Sequence, residues 1–124
     1  MNMLRNFLLV GLGGGIGAML RFLISPVLFK SGAFPVYTML INIIGSLCIG
    51  IIFAWSLKDE HFPEHLKFFL AAGLCGGFTT FSAFSLENLV LIRGGNYGMA
   101  LIYILGSVVA CLVAVFAGFK ILNG

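Results

Sequence analysis

One segment of the sequence, residues 73–85 (GLCGGFTTFSAFS), concentrates the residue types that can hold an ion. It lies in a long uncharged stretch, from Phe68 to Leu86, that we expect to cross a membrane as one helix. Glycine destabilises a helix interior by about 1 kcal/mol relative to alanine, and paired threonines add side-chain stiffness. Broken backbone at membrane depth persists only where protein buries it or a polar cavity hydrates it. The segment therefore predicts a break whose carbonyls can bind a hard cation and whose hydroxyl groups can donate to an anion.

The composition indicates that this segment belongs to a helical membrane protein. Of the 124 residues, 60% are hydrophobic and only 9% are charged, whereas soluble domains carry about 25% charged residues. At about 20 residues per crossing, four helices use most of the chain. We therefore predict an all-α membrane protein, a single domain of residues 1–124 whose third helix is broken, with spans at about 4–29, 36–57, 65–92 and 97–119. Because four short helices enclose little space, a pore would lie between or beside the subunits of an oligomer.

Two patterns that are typical of enzyme sites are better explained by membrane structure. Residues 13–18 (GGGIGA) fit a dinucleotide-binding pattern, but no βαβ unit surrounds them, so Gly13 and Gly17 indicate close helix packing instead. Residues 61–65 (HFPEH) fit a zinc-peptidase pattern that requires a helix, which Pro63 would interrupt. No other set of nucleophile, base and acid is present, and the sequence predicts that the protein is not an enzyme.

Two polar residues interrupt the first two spans, and each has two interpretations. Arg21 is costly at membrane depth, so it either contacts a functional site or anchors its helix by reaching the interface. Asn42 either bonds a neighbouring helix or directs its NH₂ group at an anion in a conduit. The sequence alone leaves both pairs of alternatives open.

Lysine and arginine residues are almost evenly distributed between the two sides of the membrane. With four spans, one side carries Arg5, Lys58, Lys67 and Lys120, and the other carries Lys30, Arg93 and, if it reaches the interface, Arg21. Four against three is too small a bias for the positive-inside rule to impose one orientation. The chain is therefore predicted to insert both ways, and two opposed copies would form an antiparallel dimer. A protein of single orientation with a weak signal is the alternative.

Four passages, in order along the chain, resemble the small dual-topology fluoride channels of the Fluc (CrcB) family. They are residues 13–21 (GGGIGAMLR), residues 42–46 (NIIGS), residues 76–85 (GGFTTFSAFS), and a short fourth helix with Tyr103 and Ser107. The third passage is highly specific. The resemblance implies a fluoride-selective channel in a bacterial cell membrane that exports fluoride passively and lowers its toxicity. It also implies an antiparallel homodimer with two separate pores.

The resemblance further implies which residues form the fluoride pores. Phe81 and Phe84 would direct their ring edges at fluoride, because the ring edge is the positive rim of the aromatic quadrupole. Asn42 would donate a hydrogen bond from the pore wall. The polar track would be formed or bordered by Thr80, Ser82, Ser85, Tyr103 and Ser107, with Glu87 near its end and Arg21 as a further candidate.

A structural sodium ion at the centre of the dimer is also implied by the resemblance. Its ligands would be the backbone carbonyls of Gly76 and Thr79, contributed by both subunits. Ala83 stands where the family pattern leads us to expect a threonine, so one hydroxyl group of the polar track is missing.

Two other classes of membrane protein account less well for these residues. A small multidrug-type proton antiporter needs a carboxylate embedded in the membrane, and the only acid associated with a span is Glu87, near a helix end. A non-transporting assembly protein would have no use for the glycine-rich break and its hydroxyl groups. The expected partners are therefore fluoride, a second copy of the chain and the lipid bilayer, with no nucleic acid.

The balanced charges predict that both orientations are populated in the membrane. Reporters fused to the C-terminus should label both faces of the membrane. Adding two lysines to either side should impose one orientation, and function should then return only when an oppositely locked copy is co-expressed. Labelling of one face alone by the unmodified chain would contradict dual insertion.

Overall fold

The computed structural model describes residues 2–25 and 34–123, and every regular element in these ranges is a helix. Helix α3 covers residues 64–78 and is π-helical from Phe68 to Cys75, between α-helical turns at Glu64–Lys67 and Gly76–Phe78. The other helices are α1 (Met3–Ile24), α2 (Val36–Lys58), α4 (Phe81–Arg93) and α5 (Tyr97–Asn123).

Four helical units of the described chain are long and apolar enough to cross a membrane, and α3 together with α4 forms the third of them. The predicted all-α membrane fold with a broken third helix is confirmed. Helix α5 continues past Lys120 to Asn123. The predicted end of the first span at residue 29, and Lys30 after it, lie outside the described residues.

Helix α1 packs closely against α3 because glycines remove side chains from the contact. A methyl group added at Gly13 or Gly17 would overlap backbone atoms of α3, and one added at Gly77 would overlap the backbone of Gly14. Gly13 and Gly17 are also the buried residues of α1. Small residues at this spacing let membrane helices approach closely, and the packing role predicted for these two glycines is confirmed.

Helices α2 and α5 form a second close pair. A methyl group at Gly50 would overlap the carbonyl oxygen of Val115, and one at Gly118 would overlap the carbonyl oxygen of Leu47. Ala114, one helical turn before Gly118, is buried together with it. We call these two glycine-packed pairs, α1 with α3 and α2 with α5, the frame. Helix α4 packs against this frame.

Helix α4 is attached to this frame through a small hydrophobic core. The buried side chains of that core are Phe84, Leu91, Ala100 and Tyr103. Most large apolar side chains elsewhere point outward, as on helices surrounded by lipid.

The third span is interrupted at Thr79 and Thr80, whose backbone is extended (φ/ψ −83°/159° and −152°/122°). The Thr80 hydroxyl oxygen then caps α4 by accepting from the amide nitrogen of Ala83 at 3.1 Å. Gly73 lies in the π-helical part of α3 and Gly77 in its last α-helical turn, both before the break, and both contact α1. The glycines therefore serve helix packing, and the two threonines, whose β-branched side chains suit extended backbone, form the break itself.

Gly17→Ala should destabilise the protein, because the new methyl group would overlap the Leu74 carbonyl and the Phe78 amide. Overpacking of this kind typically costs about 1–3 kcal/mol. Gly15→Ala on the same helix is the matched control, because nothing lies within 4 Å of a methyl group there. Thermal unfolding in detergent should show a lowered midpoint for Gly17→Ala only. Equal midpoints for the two variants would contradict the packing role.

Candidate functional site

The centre of the candidate site is a side chain of α2 that pairs with the broken backbone of the third span. Asn42 Nδ2 donates to the carbonyl oxygen of Thr80 at 3.1 Å, and the amide nitrogen of Thr80 donates to Asn42 Oδ1 at 2.9 Å. The two bonds satisfy both backbone polar groups of an extended residue, as a neighbouring strand would. Asn42 therefore bonds the extended break of the third span, and this pairing orients its side-chain amide.

A cavity of about 390 Å³ lies beside this pair, between α2, α5 and the broken third span. The predicted site residues that line it are Asn42, Gly76, Thr79, Thr80, Phe81, Phe84 and Ser107. The other described lining residues are small or apolar: Gly45, Ser46, Ile49, Ala71, Cys75, Val108 and Cys111. The predicted residues outside the described lining are Arg21, Ser82, Ser85, Glu87 and Tyr103. The described wall thus offers dipoles and hydroxyl groups without a fixed charge.

The two phenylalanines of α4 place their rings together at this cavity, with centroids 5.4 Å apart. Phe84 is buried, and its ring centroid lies 4.9 Å from that of Tyr103. Phe81 is 77% exposed on the surface of the subunit. One ring is therefore anchored in the core, and the other must be covered by lipid or by a second protein molecule.

Glu87, one turn beyond Phe84, is held by hydroxyl groups of two neighbouring helices. Thr38 Oγ1 donates to Glu87 Oε2 at 2.7 Å, and the Tyr103 hydroxyl donates to Oε1 at 2.8 Å. Both donors are buried, and hydrogen bonds to an ionised group are stronger than neutral ones. Sequence reasoning missed Thr38. Thr38 could have been identified from the sequence because it lies one helical turn before Asn42, and this spacing places both side chains on one face of α2.

The remaining predicted hydroxyl groups differ in their surroundings. Thr80 Oγ1 and Ser82 Oγ lie 3.2 Å apart, and Ser85 Oγ donates to the carbonyl oxygen of Phe81 at 2.9 Å. Ser107 Oγ is buried at the cavity and has no hydrogen-bond partner within the described ranges. A buried polar atom without a partner is unfavourable, so Ser107 is well suited to bond an ion or water in the cavity.

Two backbone carbonyls just before the break accept hydrogen bonds from side chains. Arg21 Nε donates to the carbonyl oxygen of Gly77 at 3.2 Å, and Thr79 Oγ1 donates to that of Cys75 at 2.8 Å. Half-buried Arg21 therefore contacts the broken span directly. The described residues contain no cluster of three or more His, Cys, Asp or Glu side chains.

Comparison with known proteins adds an independent line of evidence. A family model described as "CrcB-like protein, Camphor Resistance (CrcB)" matches residues 8–119. A protein of Azobacteroides pseudotrichonymphae named "Fluoride-specific ion channel FluC" is 44% identical over 119 residues, covering 94% of this chain and 95% of the relative. A Methylobacterium protein of the same name is 42% identical, with 95% and 96% covered. One from Francisella tularensis subsp. mediasiatica is 45% identical, with 94% of each chain covered.

Tyr103→Phe should destabilise the protein, because it leaves Glu87 with one of its two hydroxyl donors. A hydrogen bond to a charged group contributes about 1.5–3 kcal/mol. Tyr97→Phe on the same helix is the matched control, because Tyr97 is 67% exposed. The thermal midpoint in detergent should fall for Tyr103→Phe and stay unchanged for Tyr97→Phe. A Tyr103→Phe protein as stable as the wild type would contradict a carboxylate held by two donors.

Proposed function

This chain belongs to the CrcB family, and we propose that it is a fluoride-selective ion channel, the activity for which its relatives are named. With four membrane-length apolar helices among its described residues and with bacterial relatives, it is a multi-pass membrane protein of bacteria. It is a channel and not an enzyme, and family membership excludes the antiporter and assembly-protein alternatives. Fluoride would leave the cell passively, which lowers its concentration and toxicity inside.

The observation that carries this proposal is the cavity that joins Asn42, Phe81, Phe84 and Ser107 without a charged residue in its described wall. Fluoride is small and tightly hydrated, so a pore must replace its water with hydrogen-bond donors. Asn42 and Ser107 supply neutral donors, which can bind the ion without holding it as firmly as a fixed cation would. The edges of the two phenyl rings add the positive rim of their quadrupoles.

Glu87 marks one end of the proposed polar track, which also includes Ser82 and Ser85. Its carboxylate accepts from Thr38 and Tyr103, which are donors that fluoride would also use. A fluoride ion that reaches this point competes with the carboxylate for them. Repulsion between the two negative charges then favours release of the ion over its retention.

The proposed channel is an antiparallel homodimer with two pores. Phe81 is 77% exposed beside the cavity, so a second copy would cover this ring and complete the wall. The even distribution of lysine and arginine supports insertion in opposite orientations.

A sodium ion at the centre of the dimer is the proposed structural cofactor. The residues present fit such an ion, because Thr79 lies in the break, Gly76 lies in the helical turn that precedes it, and both line the cavity. Unwound backbone carbonyls are ligands that suit sodium in membrane proteins. When bound, the cation would supply a positive charge that lowers the cost of an anion nearby in low dielectric.

Replacing a pore phenylalanine by isoleucine tests the least conventional part of this proposal. Phe81→Ile and Phe84→Ile keep similar apolar bulk but remove the aromatic quadrupole. If the ring edges contact fluoride, efflux from liposomes should fall at least about tenfold, equivalent to roughly 1.4 kcal/mol on the barrier. An ion-selective electrode measures this efflux, and size-exclusion chromatography checks that the dimer is intact.

Phe78→Ile is the matched control, because Phe78 lies one turn earlier and is not among the described lining residues. It should retain most of the flux. Packing alone predicts a modest loss of stability, typically under about 1.5 kcal/mol, with transport retained. Near-normal flux from both folded pore variants would show that the rings provide only bulk.

A further inference from the structure

Asn42 accepts from a backbone amide that a continuous helix would use within the third span. In an α-helix the amide of residue i+4 donates to the carbonyl of residue i, so Thr80 is the helical donor to Gly76. In the structure, that amide donates to Asn42 Oδ1 at 2.9 Å, and the Thr80 carbonyl accepts from Asn42 Nδ2 at 3.1 Å. The pairing therefore leaves the Gly76 carbonyl without its helical donor.

The carbonyls on either side of Gly76 do receive donors. Cys75 accepts from the amide nitrogen and from the hydroxyl group of Thr79, at 2.9 and 2.8 Å. Gly77 accepts from Arg21 Nε at 3.2 Å. The Thr80 amide, which would donate to the Gly76 carbonyl in a helix, thus donates to the Asn42 side chain instead. Gly76 itself is exposed at the cavity.

We propose that Asn42 is a positioning residue for the central cation and thereby couples the fluoride cavity to the cation site. This inference rests on the proposed function, which assigns the Gly76 and Thr79 carbonyls to sodium. An unpaired backbone group at membrane depth is highly unfavourable. Without Asn42, the Thr80 amide regains a partner by turning back into helix and donating to Gly76. That carbonyl oxygen is then lost to the cation.

The same pairing also decides what Asn42 offers to the cavity. Its Oδ1 atom accepts from the Thr80 amide, and one Nδ2 hydrogen is donated to the Thr80 carbonyl. The second Nδ2 hydrogen is the polar group that remains for the cavity. One side chain therefore presents a donor to the anion while it keeps a backbone acceptor open for the cation.

The sodium dependence of dimer stability tests this role without relying on transport. Purified protein is heated at a series of sodium concentrations, with N-methyl-D-glucamine keeping the ionic strength constant, and the half-maximal sodium concentration is read from the thermal midpoints. Asn42→Ala removes both bonds to Thr80 and should raise that concentration at least about tenfold. Where Asn42→Ala does not fold, Asn42→Ser, whose side chain is too short to make both bonds, is titrated in its place.

Two further variants separate positioning from pore lining. Asn42→Asp keeps an oxygen acceptor for the Thr80 amide, so its half-maximal sodium concentration should stay within about threefold of the wild type. Its fluoride flux should fall, because a carboxylate in the cavity repels the anion. Ser107→Ala removes a hydroxyl group from the same cavity without touching the break, and it should leave the sodium dependence unchanged.

The possible outcomes distinguish this inference from the channel function. A folded Asn42→Ala or Asn42→Ser dimer with the wild-type sodium dependence would overturn the positioning role and leave the channel function intact. An equal rise in the half-maximal sodium concentration for Asn42→Ala and Asn42→Asp would also overturn it. The side-chain oxygen that Asn42→Asp keeps for the Thr80 amide would then have no effect. A wild-type protein without sodium dependence would overturn the inference together with the cation site. Fluoride flux of the wild type would still test the channel by itself.

Discussion

Backbone polar groups at membrane depth must find partners within the protein, and this requirement governs the structure around the break. The extended backbone at Thr79 and Thr80 interrupts the helical ladder and leaves several groups in need of new partners. Asn42 from α2 pairs with Thr80, Arg21 from α1 reaches the Gly77 carbonyl, and the Thr80 hydroxyl caps α4. The break is therefore held by side chains from two other helices as well as by its own sequence.

These side chains reach the break because glycines bring the helices together. Gly13 and Gly17 allow the backbone of α1 to contact α3, close to the point where Arg21 bonds the third span. Gly45 does the same for α2, since a methyl group there would overlap the side chain of Thr79. The polar contacts of the site thus depend on close helix packing, and a larger residue at these glycines would separate donors from acceptors.

The charged groups near the site are engaged outside the described cavity wall. Arg21 donates to a backbone carbonyl, and Glu87 accepts from two hydroxyl groups. The surface offered to an ion therefore consists of an amide, hydroxyl groups and aromatic rings. A conducting site must bind an ion strongly enough to admit it and weakly enough to release it. Neutral donors meet both requirements, while the charges support the backbone and the end of the polar track.

The helices and their apolar faces could be predicted from the sequence, because long uncharged runs in lipid have few stable solutions other than helix. The placement of Phe81 and Phe84 on one face followed from helical spacing alone. The position of the break within residues 73–85 did not, because glycine permits both unwinding and close packing, and contact with α1 selected packing. The pairing of Asn42 with Thr80 joins residues 38 positions apart. Local propensity carries no information about such a pair. The pair forms only if the right helix faces meet, and the packing of the whole bundle determines which faces meet.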